Sequence, residues 1–295
     1  MESIDYRDIL KLMLLDKYKL FIAFLFFSIA SVIYALSLPN VYTSKIVVRS
    51  AMDEGKQLSS SLGGLASMAG ISVGGGEMSP EVVKESLTSN SFLGSFVKNK
   101  NLGSVLFAAE SYNSASDEFI YDNTIYDPNL EKWTRKVNYP QKIEPAQDEL
   151  AKKFKESLTV NFDRKTKLIS ITFTSFSPTF SKDTLESLVL AFNLYMKNKD
   201  RDEANNTIHY LKGKLNSESV SEVRLALQQL LEEQLKKLAL AETRAEYALK
   251  ILDEPLEASL KSGPKRSIIC IAITFMGTLL CALILLSIRI FRLER

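Results

Sequence analysis

The chain has 295 residues, 46% of them hydrophobic and 24% charged, a balance that excludes a disordered polypeptide and allows one sizeable core. Thirty-seven Lys plus Arg against thirty-five Asp plus Glu leave a formal net charge of +2, without the basic excess that draws a protein to nucleic acid, so no nucleic-acid partner is expected. His209 is the only histidine, and the only cysteines, Cys270 and Cys281, share one apolar run. The hydrophilic part therefore lacks disulfides, the usual zinc, iron and copper ligand sets and a Cys-His nucleophile pair, and no cofactor is expected.

After a polar leader, Leu20 to Leu38 (LFIAFLFFSIASVIYALSL) is uncharged and as a helix reaches about 28 Å, enough to cross a hydrocarbon core. A cleaved signal peptide is the rival reading, with Ala35-Leu36-Ser37 as a loose cleavage site, but the long leader argues against it. Arg7, Lys11, Lys17 and Lys19 precede this run, whereas only Lys45 and Arg49 follow it closely, so the Lys/Arg bias keeps the N-terminus cytoplasmic. A second uncharged run, Ser267 to Ile288, is bounded by Arg266 and Arg289. Two spans put both termini on one face, and the short tail leaves no room for a cytoplasmic output domain.

Between the spans, Val41 to Ala51 is rich in β-branched residues and predicts a strand. Leu58 to Gly76 is a pliant Gly/Ser/Ala loop; its Gly74 to Gly76 lacks the Gly-Lys-Ser/Thr that a phosphate cradle needs. Pro80 opens a helix through about Lys98, with Val82, Val83, Leu87, Phe92, Phe96 and Val97 as its apolar stripe. Seven aromatics follow, namely Phe107, Tyr112, Phe119, Tyr121, Tyr126, Trp133 and Tyr139. Rings among polar neighbours suit sugar stacking, which makes Tyr126 and Trp133 candidate glycan contacts; ordinary loop packing is the competing and preferred reading.

Leu158, Val160 and Phe162, then Ile169, Ile171 and Phe173, alternate with polar residues around a turn at Asp163 to Lys167, the pattern of a hairpin. Ser177-Pro178 starts a helix carrying Leu185, Leu188, Val189, Phe192 and Met196 on one face. His209 sits on its continuation as a solvated residue. Gly213 and Asn216 to Ser219 predict a break. From there Val220, Leu227, Leu231, Leu235, Leu238, Ala245, Leu249 and Leu252 form one stripe on a helix of about fifty ångströms. Its solvated face carries the i,i+4 pairs Glu232-Lys236, Glu233-Lys237 and Glu246-Lys250. A seam this narrow needs a partner, so Leu227, Leu231, Leu235 and Leu238 are candidate oligomer contacts.

The expected layout is a cytoplasmic tail over 1–19, a first span over 20–38, an extracytoplasmic domain over 39–266 with long helices about 178–252, a second span over 267–288 and a cytoplasmic tail over 289–295. The expected fold class is α+β, two transmembrane helices flanking an extracytoplasmic α/β domain with a long extended helix, a domain that would be periplasmic in the family named next.

Several stretches then become recognisable in their order. They are Ile4-Asp5-Tyr6-Arg7-Asp8-Ile9, Tyr42-Thr43-Ser44-Lys45, the run Gly63 to Gly76, Tyr126-Asp127-Pro128 upstream of Trp133, the hairpin Lys165 to Phe173, Leu230 to Gln234, Ala241 to Tyr247, and Gly263-Pro264-Lys265-Arg266. The chain resembles the Wzz-type chain-length determinants, or polysaccharide co-polymerases, across nearly its whole length. It departs from them in Ser177-Pro178, where Asp-Pro is common, and in a proline-poor approach to the second span.

The resemblance implies a bacterial inner-membrane protein that assembles as a ring-like homo-oligomer and is not itself an enzyme. Its implied partners are a separate membrane polysaccharide polymerase and a lipid-linked glycan within the lipid bilayer, and its implied task is to set the modal length of lipopolysaccharide O-antigen. A capsule or exopolysaccharide polymerisation or export adaptor is the alternative. Carboxylates alone do not decide for or against a periplasmic enzyme, since paired acids are recognised by their separation in space.

Overall fold

The computed structural model describes residues 17–51 and 80–293; the Ile4 to Ile9 motif and the small-residue loop over 58–76 lie outside them. Helices and sheet are mixed, with an apolar helix near each end and two long helices between. The described chain divides into two compact units, residues 17–41 with 260–293, and residues 42–51 with 80–259.

The first predicted span folds as α1 (Lys17–Ser37). Strand β1 (Tyr42–Ser50) follows, burying Ser44, Ile46, Val48 and Ser50 at every second position, as a strand with one covered face must. The single helix expected from Pro80 to Lys98 is instead two, α2 (Pro80–Leu87) and α3 (Asn90–Asn99). Thr88 Oγ1 donates to the Lys84 carbonyl at 3.0 Å, and the Ser89 hydroxyl accepts the Phe92 N–H at 3.3 Å. One side chain thus closes the first helix and its neighbour caps the second. Val82, counted in the expected stripe, faces solvent, while Val83, Leu87, Phe92, Phe96 and Val97 are buried.

A short α4 (Gly103–Ala108) leads into the hairpin β2 (Ala109–Asn113) and β3 (Glu118–Tyr121) and then the two-residue ladder of β4 (Tyr126–Asp127) with β5 (Lys132–Trp133). Helix α5 (Gln147–Ser157) runs into β6 (Leu158–Asp163), which pairs with β7 (Leu168–Ser175) as the alternation predicts. At the turn the Asp163 carboxylate accepts the Lys165 N–H at 2.8 Å, and Lys167 takes a left-handed φ of 56°.

Helix α6 (Pro178–Ser217) starts where expected, with the Ser177 hydroxyl accepting the Phe180 N–H at 3.3 Å. It runs through Gly213, because one helical glycine costs only about 1 kcal/mol, and ends at Ser217 within the polar run Asn216 to Ser219 where a break was expected. The chain turns at 218–220, where the Glu218 carboxylate accepts the N–H groups of Ser219 and Val220, each at 3.0 Å. Helix α7 (Ser221–Thr243) has 23 residues, about 34 Å, shorter than the stripe predicted.

Leu249 and Leu252, read as helical, lie in strand β8 (Leu249–Asp253), which pairs antiparallel with β1. The backbone groups on the open side of β1 need partners, and this strand supplies them while burying Leu249 completely. Two of the three expected ion pairs change accordingly. Glu232 meets Lys236 at 2.9 Å, but Lys237 turns from Glu233 to Asp200 (3.4 Å) and Glu203 (3.6 Å) on α6. Glu246 has left the helix, and its carboxylate accepts the Ile251 N–H at 3.0 Å in place of a pair with Lys250.

The four-stranded sheet has the order β6-β7-β1-β8. Ile46, Val48, Leu158, Val160, Ile169, Ile171 and Phe173 line one face and share a core with Leu185, Leu188, Val189, Phe192 and Met196 of α6, Phe92 and Phe96 of α3, and Phe154 of α5. Each such side chain contributes roughly 1.5–3 kcal/mol by leaving water.

The other unit pairs α1 with α8 (Arg266–Leu293). Both are long and apolar enough to cross a membrane, and they expose rings such as Phe21 and Phe275 that suit hydrocarbon. A Cβ at Gly277 would lie 2.5 Å from the Phe27 ring, so only glycine admits this approach. Beside it the Ser31 and Thr274 hydroxyls are 3.3 Å apart, and the Cys270 thiol donates to the Ser31 carbonyl at 3.6 Å.

Candidate functional site

The aromatic segment is a packed ladder. Tyr126 and Trp133 face each other across β4 and β5 with ring centroids 5.2 Å apart. The series continues through Trp133 to Phe107 at 6.0 Å in one direction, and through Tyr126 to Tyr121 at 5.8 Å and on to Phe119 at 6.3 Å in the other. Phe119 then meets Phe180 at 5.2 Å and Tyr112 at 5.4 Å. Six of the seven predicted aromatics therefore pack on one another at tilted or edge-on angles, and the seventh, Tyr139, is 98% exposed. Tyr126 and Trp133 are half-buried, so each keeps only part of its surface for a sugar. Burial raises the Tyr121 phenol above its ordinary value, and its hydrogen bond to Asp117 does the same for Tyr112.

Arg135 fastens this ladder and was not singled out from the sequence. Its guanidinium donates to the Glu149 carboxylate at 2.7 Å and to the carbonyls of Ile143 and Lys142 at 2.6 Å each, and it lies 5.5 Å from the Phe107 ring centre. A planar group with five fixed donors serves three acceptors at once.

On the α6–α7 hairpin, Leu227, Leu231 and Leu238 are half-buried, whereas Leu235 is 45% exposed. The four predicted contact residues thus divide, three on the covered side and one toward solvent. The base of the hairpin is held by polar groups that sequence reasoning passed over. Buried Asn193 bonds the backbone of Ala248 and Leu249, and buried Asp200 accepts the Tyr247 hydroxyl at 2.7 Å. Burial, followed by this bond, pushes the Tyr247 phenol well above its ordinary value. The signal was present: Asn193 and Asp200 fall among the apolar positions that run from Leu185 to Ala204.

His209 is exposed on α6. Among the described residues no three His, Cys, Asp or Glu side chains gather closely enough to hold a metal ion.

Where the two spans meet, Val41 N–H donates to the Gly263 carbonyl at 3.0 Å and Ser262 N–H to the Val41 carbonyl at 2.9 Å. Arg266 Nη2 adds bonds to the Leu38 carbonyl at 3.0 Å and to Asn40 Oδ1 at 3.2 Å. These bonds hold the exit of one helix beside the start of the other.

The stretch that includes α1, β1, α2 and α3 has a recognisable counterpart. Residues 2–100 match the sequence profile of the Wzz family, described as chain length determinant protein. Over those residues the chain is similar to the Wzz domain. No curated protein matches the sequence. Among solved structures, a full-length bacterial polysaccharide co-polymerase aligns with TM-score 0.40 and 11% identity, covering 98% of each chain. A fragment of WzzB, a polysaccharide co-polymerase from Salmonella Typhimurium, aligns with TM-score 0.35 and 10% identity, covering 76% of this chain and 100% of that one. The Wzz-matched region holds the first span and the strand that leaves it.

Proposed function

We propose that the protein regulates polysaccharide chain length without catalysing a reaction, setting the modal length of lipopolysaccharide O-antigen through a separate membrane polymerase that extends a lipid-linked glycan. The Wzz match over residues 2–100 carries this reading. Two apolar helices that bracket residues 42–259 support it, since hydrophobic free energy tethers both ends of the intervening unit to one bilayer. In this reading the membrane is the bacterial inner membrane, residues 42–259 face the periplasm, both termini are cytoplasmic, and several copies form a ring. The long α6–α7 hairpin and the aromatic ladder are the surfaces offered to neighbouring copies and to glycan.

Deleting the gene in a strain that makes O-antigen tests this. The expected result is loss of the modal band and an unregulated ladder on a gel, restored by the intact gene. An unchanged ladder refutes the assignment, and polymer trapped inside the cell with normal length favours the export-adaptor alternative.

A further inference from the structure

Among the described residues, the cations where the polar chain enters α8 form no ion pair with a carboxylate, although Glu257 lies four residues before Lys261 in the sequence. Residues 17–41 and 260–293, the described part of this unit, contain no Asp or Glu. Yet Lys261, Lys265 and Arg266 crowd into six positions where the polar chain meets the uncharged run from Ser267. In the orientation proposed above, on which this inference rests, that border is the extracytoplasmic one, where short flanks are ordinarily poor in Lys and Arg. A positive cluster kept on that side calls for an anionic counterpart at the same depth.

The cluster is also held in place. The Val41 and Gly263 pairing anchors residues 261–265 to the end of α1, and Arg266 is tied to Leu38 and Asn40 by two hydrogen bonds. Lys261 and Lys265 are exposed beside it. Arg266 opens α8, so the three charges stand at the hydrocarbon boundary, the level at which lipid phosphates lie. Ammonium groups are strongly hydrated point charges suited to a phosphate, and here they need not reach across the bilayer to find one.

We propose that Lys261, Lys265 and Arg266 form a binding site for the phosphate of a lipid at the membrane surface. The phosphate comes either from an anionic phospholipid headgroup or from the diphosphate of a lipid-linked glycan carrier. In the second case the site holds the growing chain's anchor against the span pair; in the first it holds the span pair at a set depth.

The test uses the full-length protein in mild detergent, incubated with equal amounts of phosphatidylglycerol, a polyprenyl diphosphate and diacylglycerol and read by native mass spectrometry. The phosphate-bearing lipids are expected to be retained in preference to diacylglycerol, and the Lys261→Gln/Lys265→Gln double variant to reduce that preference roughly ten-fold. Arg266 is left intact so that the link between spans survives. Preference for the diphosphate assigns the site to the glycan carrier; preference for phosphatidylglycerol assigns it to the bilayer. Protease accessibility of residues 42–259 in sealed vesicles, measured in parallel, reads orientation separately, so an inverted topology is told apart from absent lipid binding. Equal retention of diacylglycerol, or a double variant that binds phosphate lipids as the parent does, overturns the proposal.

Discussion

Asn193 grips Leu249 by both of its backbone polar groups, its Nδ2 donating to the Leu249 carbonyl at 2.9 Å and its Oδ1 accepting the Leu249 N–H at 2.7 Å. The same oxygen takes the Ala248 N–H at 2.8 Å. Two helical turns along α6, Asp200 holds Tyr247. These contacts fix where the chain leaves α7 and rejoins the sheet as β8.

Replacing Asn193 with alanine strands two buried N–H groups and a carbonyl, and an unmet buried polar group costs about 1–3 kcal/mol. Asn193→Ala is therefore expected to lower stability by about 2–4 kcal/mol, seen as a drop of several degrees in thermal unfolding of the detergent-solubilised protein. A melting temperature equal to that of the parent would show that β8 docks without this grip.

The Tyr247 phenol is raised above its ordinary value of 10.0, so the folded state keeps its proton where the unfolded chain would release it. Its contribution is complete below about pH 10 and declines as pH rises further, because the unfolded state alone ionises first. Unfolding curves should show an alkaline loss of stability that Tyr247→Phe reduces. Identical alkaline slopes in the two proteins would remove Tyr247 as its source.

The 3.3 Å approach of Ser31 to Thr274 makes the packing of α1 on α8 testable. With Cys270 and Cys281 changed to serine, a Ser31→Cys/Thr274→Cys variant should cross-link within one chain on mild oxidation in membranes. Adding Gly277→Leu, whose side chain would occupy the space of the Phe27 ring, should reduce the cross-linked fraction several-fold, as loss of a close small-residue contact does. Efficient cross-linking in the variant that also carries Gly277→Leu argues against this packing.

Trp133→Ala removes contacts to Phe107 and Tyr126 and is expected to destabilise the protein by about 2–3 kcal/mol, less than for a fully buried ring. If Tyr126 and Trp133 also touch glycan, alanine at either position shifts the product ladder when protein levels are matched. A ladder that stays the same leaves these rings with packing alone.

Leu231 and Leu235 separate two roles for α7. A glutamate at half-buried Leu231 should loosen the hairpin and lower the melting temperature, whereas one at exposed Leu235 should leave folding within about 0.5 kcal/mol. Loss of native mass in detergent for Leu235→Glu, with unchanged melting, marks the exposed side as the contact between copies. Unchanged mass for both variants rules the seam out as that contact.

Much of the architecture was legible because its periodicities have one reading. Nineteen uncharged residues ending at Leu38 fit only a very apolar helix, and alternation around Asp163 to Lys167 fits only a hairpin. The stripe from Val220 to Leu252 was less decisive, since Leu249 and Leu252 suit either a helix or a strand. The choice between them was made by β1, some two hundred residues earlier, whose open edge lies beyond any local window. Likewise the rings from Phe107 to Trp133 announced themselves in sequence, but not that Arg135 would bind them to Glu149.

Composition and hydrophobic patterning, being properties of the chain alone, determined the two apolar helices, the α+β character of what lies between them and the scarcity of soft metal ligands. Tertiary structure decided the end of α7, the return of β8 to the sheet and the partners of Lys237. Those outcomes depend on buried hydrogen bonds from Asn193 and Asp200, whose strength comes from distant segments meeting out of reach of water.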